Sequence, residues 1–200
     1  MLLLSVTQLV GLLKDKNPVV RQLALENLLP YTQSGNPHID IWKANNWEGG
    51  RMLKLLVRDM NVPPWKPDQA DAQTAKTSQQ AIAALINLSS REEALREILI
   101  DDHFLSYLHS IITDQQHQHA DLVCMLLSNL VKSPRIEILM NIQVPAAEAL
   151  TEKTVLGQLM EVFVLGENKK WNPNATFDFL GNVWGDITRV FSEEFRCLWI

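Results

Sequence analysis

Apolar residues in the opening segment recur at the three- and four-residue spacing of helices, broken at intervals by short polar clusters. Positions 2, 3, 6, 9, 10, 12 and 13 form one broad stripe, which predicts a helix ending near Lys14. Asp15 and Asn17 then supply turn and cap chemistry. Pro18 falls in the first turn of a second helix, where a missing N–H costs nothing. That helix carries Val20, Leu23, Ala24, Asn27 and Leu28 at helical spacing, with Arg21 within reach of an acid such as Asp15 across the turn. Ala24 is small where two helices have to approach closely. Two helices joined in this way form a hairpin, and a hairpin completes its core only by stacking on neighbours.

Similar second helices recur at residues 81–89, 122–131 and 179–188. Aligning each on the polar residue before its last apolar position gives Asn27, Asn87, Asn129 and Asp186, with gaps of 60, 42 and 57 residues. One gap matches the roughly 40 to 47 residues of an armadillo or HEAT unit, and the other two fit such units with loop insertions. Partner helices are expected over 50–60, 94–100, 104–112 and 155–165, with Asp101-Asp102 as a natural cap between the middle two. Glu92-Glu93, near a helix start, suits the helix dipole. No alternating apolar pattern of strand length appears. The expected fold is all-α, a right-handed solenoid of armadillo or HEAT-like repeats over residues 1–190, followed by a non-repeat tail, 191–200. Three stretches read as irregular: 32–50, with Gly49-Gly50; 61–74, with Pro63-Pro64-Trp65-Lys66-Pro67; and 167–176.

Composition narrows the function. A 46% hydrophobic and 20% charged chain is that of an ordered protein, and a net charge of −5 offers no basic footprint for nucleic acid. No apolar run approaches the roughly 20 residues needed to span a bilayer, so no membrane partner is expected. The N-terminal stripe lacks a positive n-region and a small-residue cleavage site, so it reads as a helix and not as a leader. Cys124 and Cys197 have no paired spacing, which points to a reducing compartment, cytoplasm or nucleus.

Asn172-Pro-Asn-Ala-Thr-Phe-Asp-Phe-Leu-Gly-Asn-Val-Trp-Gly-Asp-Ile-Thr-Arg189 closely resembles the N-terminal module of the armadillo-type cytosolic chaperones that help fold translation elongation factor two. Leu12–Leu29, Ala84–Ser89 and Leu126–Leu130 share the family pattern more loosely. The resemblance covers about residues 1 to 190, the N-terminal half of a typical member. It implies a non-enzymatic protein-binding solenoid, with elongation factor two and the cytosolic ring chaperonin as partners. Family members continue into further repeats where this chain ends in Val190–Ile200, so a truncated or alternatively spliced end is expected. A partly covered last helix then favours weak self-association through that end.

Catalytic chemistry finds no residue set. His38, His103, His109, His117 and His119 are scattered, and 117 and 119 point to different sides of a helix. No phosphate loop, nucleophile elbow, metal set or cofactor site is expected. Protein contact is another matter. Trp42, Trp47, Trp65 and Trp171 lie in the irregular segments, and indoles are enriched in binding hot spots. Asn27, Asn87 and Asn129 are similar to the asparagines with which nuclear-import armadillo proteins hold an extended peptide, which would make the chain a scaffold or transport adaptor for linear peptides. The other reading has them bonding backbone and loops inside the solenoid, and Asp186 interrupts the row.

Overall fold

The computed structural model describes residues 6–58, 72–113, 120–133 and Arg135. Among them the chain forms helices and turns without a strand. The helices are α1 (Val6–Leu12), α2 (Pro18–Leu28), α3 (Asp40–Arg58), α4 (Ala72–Ser89), α5 (Glu93–Leu99), α6 (Asp102–Thr113) and α7 (Ala120–Leu130). A 3-10 turn, Leu29–Thr32, follows α2. The second repeat expected at 81–89 lies in α4, and the third at 122–131 in α7 and the turn after it. The helix at 155–165, the repeat at 179–188, the boundary at 190 and the stretch 167–176 lie outside the described residues; of the stretch 61–74 expected to be irregular, 61–71 lies outside them and 72–74 is instead the first turn of α4.

Local chemistry explains the first hairpin. Asn17 is extended and its side-chain oxygen accepts from the amide of Val19 at 2.9 Å, with Pro18 occupying the first helical position. Such a cap is worth about 1 kcal/mol. Asp15 uses its carboxylate on the Asn17 amide, 2.8 Å away. Arg21 therefore meets Asp15 through its backbone carbonyl, at 2.7 Å, and adds the Lys16 carbonyl at 3.1 Å. The guanidinium ties the turn down without an ion pair. The same economy starts α6, where the Asp101 carboxylate accepts from the amide of Phe104 at 2.8 Å.

Packing arranges the helices in two rows. In one, α4 lies between α2 and α7; in the other, α1 meets α3 and α3 meets α6. The rows join where α1 packs on α2, α3 on α4 and α6 on α7. This is a stack of three hairpins, an armadillo or HEAT-like α-solenoid, with α5 touching α3, α4 and α7 beside it. Leu25, Leu28, Leu53, Val57, Ile82, Leu85, Leu88, Phe104, Leu108 and Leu130 are fully buried between the rows. Each such side chain contributes about 1.5–3 kcal/mol relative to exposure. The buried face of α2 is Ala24, Leu25 and Leu28, and Leu23 lies on the opposite side, 52% exposed. Leu23 was expected in the stripe; the direction of α1 and α4 sets the buried arc one residue further on.

The stretch 32–50 is less irregular than its Gly and Asn content suggests. Helix α3 begins at Asp40 and is interrupted by Ala44, Asn45, Asn46 and Trp47, the last three in left-handed conformation with φ of 52°, 56° and 62°. Left-handed residues cost roughly 1–2 kcal/mol each, less for Asn. Trp47 is only 6% exposed, and burying an indole removes roughly 200 Å² from water, an upper estimate of about 5 kcal/mol. The two terms are of similar size, so the buried ring can hold the turn against its strain. Gly49 and Gly50 then sit inside the helix because nothing larger fits. A Cβ on Gly49 would stand 2.7 Å from the ring of Trp42, and one on Gly50 would stand 2.6 Å from a methyl of Leu95.

Candidate protein-binding surface

The asparagines at 87 and 129 act between repeats. The Asn87 amide donates to the hydroxyl of Thr32 at 2.9 Å, and that hydroxyl donates in turn to the Leu29 carbonyl at 2.7 Å. Arg91 adds a long bond, 3.4 Å, to the Thr32 carbonyl. The Asn129 amide donates to the Ile86 carbonyl at 3.0 Å and to the Ser89 hydroxyl at 3.2 Å. Each second helix of the stack is thus pinned to the one before it. Asn27 differs, because it is exposed and turns its amide back onto the Leu23 carbonyl of its own helix, 2.7 Å away. The three do not form a row of open amides, since the geometry that would hold a peptide is occupied at 87 and 129.

Two tryptophans expected at a contact surface belong to the core. Trp42 has no exposed area, and its indole N–H donates to the Tyr31 carbonyl at 3.3 Å. Trp47 is buried in the same core cluster. Both rings fold back onto the helices because α3 starts earlier than the Asn- and Gly-rich sequence implies. Trp65 and Trp171 lie outside the described residues.

Surface apolar groups are found elsewhere. Val19 and Leu23, one turn apart on α2, are 42% and 52% exposed, and Met125 on α7 is 44% exposed. Because α2, α4 and α7 lie side by side with their buried arcs turned inward, their remaining sides share one outer face. On α4 that side carries Gln79 and Ala83. Glu26 stands between α2 and α4, paired with Lys76 at 2.6 Å and accepting from Gln22 at 2.9 Å. The Lys76 ammonium first, then the Gln22 amide, hold the Glu26 carboxyl below the ordinary carboxylate range. Exposure of Leu23 was not visible in the periodicity, although Val19 and Leu23 at a four-residue step are themselves a stripe.

The other row carries charge together with one exposed leucine, Leu55 on α3, at 46%. Lys14, in the turn after α1, pairs with Glu48 of α3, and Asn45 donates to the same carboxylate at 2.9 Å. Lys14 chiefly, then Asn45, lowers the Glu48 pKa. Lys43 reaches Glu92 at 3.2 Å and Asp40 at 3.3 Å, and these carboxylates, Glu92 first, raise its pKa. Lys54 joins Asp101 and lies 5.2 Å from the centre of the Phe104 ring. Among the described residues no group of three or more His, Cys, Asp or Glu side chains could hold a metal ion. Nor is any helix there long and apolar enough to cross a membrane. Cys124 is buried.

Two comparisons with known proteins match this chain. A family model described as a domain of unknown function, DUF383, matches residues 111–196. The chain is 42% identical over 182 residues to the protein HGH1 homolog of Schizosaccharomyces pombe, an alignment that takes in 91% of this chain and 47% of that protein. The chain therefore spans about half the length of the curated relative it matches.

Proposed function

We propose that this chain is a non-enzymatic, protein-binding solenoid that serves as a chaperone or adaptor in the folding of translation elongation factor two. The observation that carries the protein-binding part is the outer face of α2, α4 and α7, where Val19, Leu23 and Met125 stand between 42% and 52% exposed. Large apolar side chains on one face of a stacked repeat suit transient contact with another protein surface. The client is named by the resemblance of residues 172–189 to the elongation-factor chaperones, and the similarity to the HGH1 homolog over most of the chain supports a shared architecture. The ring chaperonin enters as a second partner on the same resemblance, and the cytoplasm or nucleus as the place where they meet.

Affinity capture from cytosol with the purified chain tests this reading. Enrichment of elongation factor two, with or without the ring chaperonin, is the expected result. Recovery of neither, from a chain shown by circular dichroism to be helical, would overturn it.

A further inference from the structure

We draw no further inference here: the strongest candidate, the apolar strip of Val19, Leu23 and Met125 on the outer face of α2 and α7, is an unpartnered surface that belongs to the site already described, and nothing in the structure shows what covers it.

Discussion

The side-chain amide of Asn129 crosses from α7 to α4 and donates to the backbone carbonyl of Ile86 at 3.0 Å, from a site only 8% exposed. The same carbonyl already accepts the amide of Ser90 at 3.1 Å. Removing the asparagine therefore takes away two inter-repeat bonds, to Ile86 and to the Ser89 hydroxyl, without stranding the Ile86 carbonyl. Asn129→Ala should cost about 1–2 kcal/mol. Asn129→Asp should cost about 3 kcal/mol or more, since it sets a carboxylate against a carbonyl in a dry site. Asn27→Ala, which loses only a bond within its own exposed turn, should stay within about 0.5 kcal/mol. Urea unfolding followed by circular dichroism ranks the three, and equal effects at 27 and 129 would refute the pinning role.

Glycine substitutions separate close packing from helix propensity. Gly49→Ala drives a methyl into the Trp42 ring, which cannot swing aside while its N–H holds Tyr31. A loss of about 1–3 kcal/mol is expected. Gly11 has nothing within 4 Å of an added Cβ. There alanine should stabilise by up to about 1 kcal/mol. Thermal melts of the two variants should move in opposite directions.

The left-handed turn makes a prediction of its own. Asn46, at φ 56°, is exposed, so Asn46→Gly relieves strain without removing packing, for an expected gain of about 0.5 kcal/mol. Asn46→Val should destabilise by about 1 kcal/mol or more, because a β-branched residue is a poor fit to positive φ. Differential scanning calorimetry would show it, and a valine variant as stable as the parent would mean that the turn opens freely.

Acid should weaken the ties between helices. Glu26 and Glu48 have folded pKa values below their unfolded ones, set first by Lys76 and by Lys14. Their contribution to stability is full above the unfolded carboxylate value, about pH 4.3. It is lost as pH falls through the lower folded value. Both side chains keep about a third of their surface in solvent, 31% and 33%, so the effect is small. Melting temperature measured from pH 7 to 3 should fall less steeply in a Lys14→Met, Lys76→Met double variant than in the parent. Identical slopes would show that the pairs contribute nothing.

The outer face can be tested apart from the fold. Leu23→Glu and Met125→Glu change side chains about half exposed and should shift stability by less than about 0.5 kcal/mol each. If the face receives the client, the pair should reduce capture of elongation factor two by about tenfold, the equivalent of about 1.4 kcal/mol. Undiminished capture would move the contact elsewhere on the chain.

Much of the helical layout was legible because it depends on neighbours in sequence. Asn17, Pro18 and Asp101 are short-range signals, and each stands at the helix start it announces. The placement of Trp42 and Trp47 was not legible, because it depends on Tyr31, Gly49 and the helices below. A loop-like run of Asn and Gly served instead to bend one helix and let a ring lie against it. The asparagine row was visible as a spacing, but spacing says nothing of what an amide donates to. Only the position of Thr32 beside Asn87, and of Ile86 beside Asn129, separates a pin from an open hand.

Both pins lean the same way along the chain. In each, the donor belongs to the later helix and the acceptor to a segment made earlier: Asn87 reaches back to Thr32, and Asn129 reaches back to Ile86. A polypeptide leaving the ribosome folds its N-terminal part first. Thr32 and the end of α4 can therefore stay hydrated, their oxygens bonded to water, until the next hairpin arrives carrying the amide that replaces it. Neither pin leaves a donor waiting in a dry site for a partner not yet synthesised. The stack is suited to growth by addition, each new hairpin bringing its own latch to the one already in place.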